Sequence, residues 1–352
     1  PDNLAQQPFN GEADDLRMHL QDLGQQLQEP GLLKVQTASM WLEEASKRPI
    51  PQMLFSEFWL EGELCMLFAD TNVGKSILAV QLGDSISRGV SIPGFKLEAS
   101  PQKVLYVDFE LSDKQFEARY SEKFKHHYSF NDGLLRAEFV IPPELEDAEG
   151  QLESMVHAAL ANSIVETGAK ILIIDNITYL SQETERARHA LPLMKHLKAL
   201  QRKYDLSILT LAHTPKRDLT KPLTRNDLQG SKMLINFCDS AFTIGESTQD
   251  SRVRYLKQIK ARSTEVRYHG DQVCVCELIK PSNFLHFKWL SYGAEIEHLK
   301  QLSESDKEQR IDHAIEMKVN GASNIAIAQA FGVGESTVRY WFSKKKKGLT
   351  EN

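Results

Sequence analysis

The chain has 352 residues, 41% of them hydrophobic and 26% charged, and a net charge of −6. This length and composition suit a globular protein with one large and one small domain, or with two domains of medium size. Because the overall charge is negative, any contact with nucleic acid must be local.

The cysteines and the apolar runs bear on where the protein works. None of the four cysteines has the spacing of a zinc ligand, so we interpret them as reduced core thiols of a cytoplasmic protein. No apolar run approaches the length of a membrane span, and we expect no membrane contact. The chain begins with Pro1 instead of methionine, which suggests a piece of a longer protein.

The first 30 residues are polar and rich in glutamine. Within them Leu16, Leu20, Leu23 and Leu27 share one helical stripe, although Gly24 weakens a helix there. Three interpretations stay open: a short helix packed on its own domain, a helix that docks on a neighbouring subunit and so supports oligomerisation, or disorder.

A strand, a loop and a helix follow one another from residue 64 onward. The apolar run Leu64–Phe68 leads into a loop that ends Gly74-Lys75-Ser76, and a segment with helical spacing begins there. Backbone N–H groups of such a loop converge on phosphate oxygens at the helix N-terminus. Lys75 is expected to reach the β- and γ-phosphates of ATP, and the Ser76 hydroxyl to hold Mg²⁺. The predicted nucleotide contacts are Ala69, Asp70, Thr71, Asn72, Val73, Gly74, Lys75 and Ser76.

One position departs from the G-x-x-x-x-G-K-S pattern. Ala69 stands where the pattern has its first glycine, and alanine penalises a positive φ.

Apolar runs at 103–110, 170–180 and 206–214 have the character of strands, the latter two buried on both faces. Residues 112–127, 152–168 and 188–204 have helical spacing, and Pro192 is expected near the first turn of the last helix. Runs between 233 and 290 are predicted as further strands, partly antiparallel; the first covers MLINFCDSAFTIGES. Strands that alternate with helices predict an α/β fold with a mostly parallel sheet flanked by helices.

Three polar side chains end these strands. Asp175 follows ILII and is predicted to be a Mg²⁺ ligand; the alternative is a carboxylate that caps the turn at Asn176. Glu110 is predicted to be the base that activates water. We prefer it to Asp108, whose side chain is expected on the same strand face, because Glu110 is nearer the carboxyl end of the strand. His213 is predicted to contact the γ-phosphate, or else to be a histidine satisfied within a turn.

The loop after His213 is basic. It carries Lys216, Arg217, Lys221, Arg225 and Lys232 against two aspartates. A basic, mobile loop beside a phosphate sensor suits a protein that moves along nucleic acid. A merely solvated loop remains an alternative.

Residues 293–305 are predicted as a polar linker, and residues 306–347 as a separate small helical unit. The unit resembles the helix-turn-helix of resolvase- and transposase-type DNA-binding proteins. A small helical bundle that contacts another protein stays open as an alternative. Its predicted core positions are Ser323, Ile325, Ala326, Phe331, Val333, Val338 and Trp341. The predicted DNA contacts on its last helix are Ser336, Thr337, Arg339 and Tyr340, with a run of lysines at 344–347 beside them.

Residues 31–292 together resemble a RecA-type ATPase domain, close to the RepA-like and DnaB-type hexameric helicases. The matching segments are FADTNVGKS, VLYVDFELS, ILIIDN, LTLAHT, QGSKMLINFCDS and KQIKARST. The resemblance implies Glu110 as the catalytic glutamate and His213 as the γ-phosphate sensor. It also implies that Lys260 and Arg262 reach the ATP of a neighbouring subunit, and no nearby acidic residue in the sequence offers them a local ion pair before Glu265.

The sequence therefore predicts an ATP-hydrolysing, ring-forming DNA motor that uses Mg²⁺. The resemblance implies a hexamer, a replication protein or helicase of a plasmid, phage or mobile element, and replication or recombination proteins as partners. Two alternatives stay open. One is an ATP-switched DNA-binding regulator that recruits a partner without unwinding, and the other is an ATPase in signalling whose terminal helices bind a partner.

Overall fold

The computed structural model describes residues 33–138, 149–177, 187–215, 217–228, 232–301, 304–331 and 333–348. The predicted N-terminal helix and Lys216 lie outside these residues. The chain divides into two compact units, residues 1–50 and 51–352. In the first unit, helix α1 (Ala38–Ser46) begins where the Thr37 hydroxyl accepts the N–H of Met40.

A nine-stranded sheet organises the second unit, in the order β13-β12-β11-β10-β3-β9-β8-β4-β7. Its strands are β3 (Leu64–Ala69), β4 (Val104–Asp108), β7 (Leu134–Glu138), β8 (Ile171–Asp175), β9 (Ser207–His213), β10 (Ser240–Glu246), β11 (Val253–Lys260), β12 (Val273–Ile279) and β13 (His286–Gly293). The strands from β10 to β7 are parallel, and β11, β12 and β13 extend the sheet antiparallel beyond β10. The predicted α/β sheet, mostly parallel and with later hairpins at one edge, is confirmed.

Helices cover both faces of the sheet. They are α2 (Lys75–Arg88), α3 (Asp113–Arg119), α4 (Glu149–Thr167), α5 (Ala187–Tyr204) and α6 (Lys232–Phe237). Along β3, Cys65 and Leu67 belong to the core beneath α2, whereas Met66 and Phe68 belong to the core beneath α4 and α5. Both faces of this strand are therefore buried, as its continuous apolar run requires.

Smaller elements complete the chain. Short strand pairs are formed by β1 (Met53–Phe55) with β2 (Trp59–Leu60) and by β5 (Ser121–Glu122) with β6 (His126–His127). Helices α7 (Glu304–Val319), α8 (Asn324–Phe331) and α9 (Glu335–Gly348) close the described chain. No helix among the described residues is long and apolar enough to cross a membrane. All four cysteines are buried and outside any disulfide, as expected.

Two local predictions were wrong. The helix expected over 112–127 ends at Arg119, and its remainder forms the β5–β6 hairpin. The apolar run at the start of MLINFCDSAFTIGES is helix α6, because a short apolar run is compatible with either structure. Pro192 lies inside α5, close to its first turn as expected.

The helical phase of the C-terminal unit also differs from the expectation. Ser323 begins α8 by accepting the N–H of Ala326 at 3.1 Å, so Ser323, Ile325 and Ala326 are exposed. Ile327 and Ala328 take their place in the core. The other predicted core residues, Phe331, Val333, Val338 and Trp341, do pack together.

Candidate active site

The predicted phosphate-binding segment, residues 69–76 and here called the phosphate loop, joins the end of β3 to the start of α2. Gly74 precedes the helix with φ +109°, and Asn72 has φ 63°. A Cβ on Gly74 would stand 2.9 Å from the ring of Phe287. Both the backbone conformation and the available space therefore require glycine there.

Lys75 is buried beneath this loop, with 6% of the residue exposed. Its Nζ donates to the carbonyl oxygens of Ala69 at 3.0 Å and Asp70 at 2.9 Å, and it lies 3.0 Å from Nδ1 of His213. Burial lowers the pKa of Lys75, against the opposing attraction of Asp175, Glu110 and Asp70. These acceptors hold the ammonium group against the backbone of the loop, which is expected to bind phosphate oxygens.

His213 joins Lys75 to Glu110. Because its Nδ1 faces an ammonium donor, Nδ1 accepts and Nε2 carries the proton in the neutral ring. Nε2 then donates to Oε1 of Glu110 at 3.2 Å, and Nδ2 of Asn176 donates to the same oxygen at 3.0 Å. The hydrogen bond from His213 is the main cause that lowers the pKa of Glu110, ahead of that from Asn176 and against burial. Glu110 is thus an ionised carboxylate beside the phosphate loop.

Asp108 is committed to other partners. It accepts Nε of Arg136 at 3.0 Å and the N–H groups of Glu110 and Leu111 at 3.1 Å and 3.0 Å. Its side chain has no exposed surface. Since β4 ends at Asp108, the strand alternation that was expected to place Glu110 on the same face does not extend to it. The geometry favours Glu110 over Asp108 as a base.

Asp175 ends β8 with only 1% of the residue exposed. The Tyr106 hydroxyl donates to Oδ2 at 2.6 Å, whereas Oδ1 has no hydrogen-bond partner among the described residues. Burial raises the pKa of Asp175 to about 6; the Ser76 and Tyr106 hydroxyls lower it in part. A buried carboxylate oxygen near a hydroxyl offers the hard ligands that Mg²⁺ prefers. The described residues hold no group of three or more acidic, histidine or cysteine side chains for a metal, so remaining ligands would come from phosphate and water.

Lys260 and Arg262 lie at the end of the sheet opposite the phosphate loop, near the start of β3. Lys260 donates to the carbonyls of Ile235 and Cys238, each at 2.7 Å, at the end of α6. Arg262 pairs with Asp239 at 3.3 Å. Asp239 also accepts the N–H of Leu64, where β3 begins, so this cluster is remote from the phosphate loop of its own chain. The acidic partner of Arg262 is therefore not a sequence neighbour but Asp239, which the fold brings to it from 23 residues earlier in the chain.

The described part of the basic loop is held against the rest of the unit. Arg217 donates to the Lys221 carbonyl at 3.0 Å, and Asp218 pairs with Arg310 of α7 at 2.9 Å. Arg225 is exposed within a 3₁₀ turn. Lys232 begins α6. The loop therefore presents basic groups at its surface while its start is tied to the C-terminal helices.

On α9, three of the predicted DNA contacts are exposed: Ser336, Arg339 and Tyr340. Thr337 is partly buried. Arg339 pairs with Glu335 at 2.7 Å, a surface pair that contributes little to stability. These side chains are accessible to a partner.

Sequence reasoning missed Arg254, which contacts the phosphate loop from behind. Its Nε donates to the Val73 carbonyl at 3.1 Å, across 181 residues of sequence. No motif marks this arginine, because only the pairing of β11 with β10 and of β10 with β3 brings it to the loop.

Comparison with known proteins identifies a family for this chain. Among solved structures, a KaiC-like protein from the hyperthermophilic archaeon Pyrococcus horikoshii OT3 aligns with a TM-score of 0.44 and 14% identity, over 65% of this chain and 90% of that chain. No curated protein matches the chain. The sequence model of the AAA domain family matches residues 13–218, which contain the phosphate loop, Glu110, Asp175 and His213. With more than half of its length matched, the chain belongs to the AAA domain family and carries that family's nucleoside-triphosphatase domain.

Proposed function

We propose that the protein hydrolyses ATP at the phosphate loop and uses the cycle to act on DNA as a ring-forming motor. The observation that carries the proposal is the continuous contact from Lys75 through His213 to Glu110. It joins a phosphate-binding cation to an ionised carboxylate within one site.

Each group has a role that follows from its surroundings. Lys75 binds the β- and γ-phosphates, and Glu110 orients and deprotonates the attacking water. His213 holds Glu110 ionised and is placed to contact the γ-phosphate. Ser76 and Asp175 are the residues that would hold Mg²⁺, which would supply charge neutralisation at the phosphates when bound.

Two features support DNA as the partner of this ATPase. Arg225 and Lys221 present charge on the loop that follows His213, and α9 exposes Arg339 and Tyr340. Such groups suit phosphate contacts and stacking on bases. The proposed ring would let Arg262, remote from its own phosphate loop, serve the ATP of a neighbour.

The test combines two assays on the whole chain. ATP turnover is measured without DNA, with single-stranded DNA and with duplex DNA, and strand displacement is measured on a forked duplex. We expect DNA to stimulate turnover, and displacement to require ATP. Lys75→Ala is the control for hydrolysis. ATPase activity that ignores DNA would refute the motor, and absence of any turnover would refute the ATPase itself.

Deletion of residues 306–352 tests the C-terminal helices separately. We expect duplex binding to weaken while basal ATP turnover is kept, because the helices have their own core. Unchanged duplex affinity in a gel-shift titration would favour protein contact for this unit.

A second function is favoured by the ion pair between Asp218 and Arg310. It ties the loop after His213 to α7, so nucleotide binding could alter how the C-terminal helices meet DNA. The protein would then be an ATP-switched DNA-binding regulator. In this case ATP changes duplex affinity without strand displacement, and Arg310→Gln reduces that change while basal turnover is kept.

A further inference from the structure

The rear of the phosphate loop is covered by the antiparallel extension of the sheet. Arg254 lies on β11 directly opposite Glu246 of β10, and only 6% of it is exposed. Phe287 of β13 packs against Gly74. Gln81 of α2 fixes β13 by bonding both the N–H and the carbonyl of Phe287. The loop thus lies against a wall made by these strands, and the predicted catalytic residue that they carry, Lys260, is at the other end of β11 from Arg254.

The Arg254 guanidinium is itself held rigidly. Its Nη1 donates to the carbonyls of Ser251 at 2.7 Å and Val253 at 2.9 Å, and Nη2 lies 3.4 Å from Glu246. Nε is left to donate to the Val73 carbonyl at 3.1 Å. A planar guanidinium with several donors can satisfy these acceptors at once, whereas a lysine ammonium cannot do so from one point.

We propose that Arg254 is a positioning residue that orients the phosphate loop for triphosphate binding. The peptide between Val73 and Gly74 is trans, so its carbonyl and its N–H point in opposite directions. When Arg254 holds the Val73 carbonyl on the rear side, the Gly74 N–H is directed to the other side of the loop. Gly74 has a backbone conformation that is otherwise free to rotate, and the arginine removes that freedom.

This inference rests on the proposed function only in naming ATP as the ligand. The orientation of the loop is a property of the nucleotide-free protein, and it has its own measurement. Amide hydrogen exchange across residues 69–76 reports the ordering of the loop without any nucleotide. Titration with ATP and with adenosine then separates phosphate binding from binding of the nucleoside.

The variants are Arg254→Gln and Arg254→Lys, with Arg252→Gln as the matched control. Arg252 lies on the same hairpin, but its side chain is 64% exposed and pairs with Asp250 and Glu277 at the surface. We expect Arg254→Gln to speed exchange in the loop and to weaken ATP binding about tenfold to hundredfold, the effect of losing a buried charged hydrogen bond. Adenosine affinity should be unchanged. Arg254→Lys keeps the charge but not the set of donors, so it should also speed exchange in the loop and weaken ATP binding.

Several results would overturn the proposal. They are unchanged loop exchange in a folded Arg254→Gln protein, an equal effect of Arg252→Gln, or a parallel loss of ATP and adenosine binding. If Arg254→Gln does not fold, Arg254→Lys decides by the same readouts. If the native protein binds no ATP but Arg254→Gln still loosens the loop, the proposed function fails while the positioning role stands.

Discussion

Replacing Glu110 with glutamine is the sharpest test of the site. The amide oxygen of glutamine can accept the same two hydrogen bonds, from Asn176 at 3.0 Å and from His213 at 3.2 Å. The substitution keeps size and contacts but removes the negative charge and the ability to take a proton. We expect ATP binding to persist and turnover to be lost.

The expected magnitudes differ for rate and for stability. A general base contributes about 10²–10⁴ in rate, so turnover should fall by at least the lower figure. Replacing charged hydrogen bonds by neutral ones costs on the order of 1 kcal/mol, which lowers the melting temperature by only a few degrees in a domain of this size.

The comparison variant is Asp108→Asn. Asp108 is fully buried against Arg136, and breaking such a pair costs about 3–5 kcal/mol when the remaining charge is left unpaired. Arg136 also bonds Asp113 and the Leu111 carbonyl, so we expect the lower end of that range. This variant should therefore lose stability more than Glu110→Gln does.

The assay measures steady-state phosphate release, binding of a fluorescent ATP analogue and thermal melting for both variants. Normal turnover in Glu110→Gln would refute its role as the base. Loss of turnover in a stable Asp108→Asn protein, with Glu110→Gln active, would transfer the role to Asp108.

Three further predictions concern the loop, the ring and the dependence on pH. Lys75→Ala should abolish phosphate release, because it removes the ammonium group that the loop carbonyls of Ala69 and Asp70 hold in place for the β- and γ-phosphates; native turnover would contradict the assignment. Arg262→Ala should bind ATP but hydrolyse it poorly, and mixing with Lys75→Ala should restore some activity; no recovery in rings shown to be mixed by native mass spectrometry would count against action between subunits. Burial lowers the pKa of His298, against the influence of Glu297 and Glu295. The unfolded chain therefore binds a proton at His298 more readily than the folded chain does, and the folded state loses stability as pH falls through about 6.5. The melting temperature should drop from pH 7 to pH 5, and the drop should shrink in His298→Gln.

The sequence by itself determined the phosphate loop and the parallel sheet. The Gly74-Lys75-Ser76 ending and the apolar runs that end in Asp175 and His213 are local patterns. Each one combines strand periodicity with a polar residue at the strand end. Because carboxyl ends of neighbouring parallel strands meet at one edge of a sheet, these patterns were enough to predict where the site lies.

Only the tertiary structure distinguishes candidate site residues that the local sequence makes equally plausible. Asp108 and Glu110 are two residues apart, and only Arg136, delivered by β7, commits Asp108 to an ion pair. Arg262 acquires Asp239 in the same way. Arg254 meets Val73 because β11 and β3 both border β10. These contacts join residues that are far apart in the chain. They depend on the order and register of the strands, which the hydrophobic periodicity of the sequence does not specify.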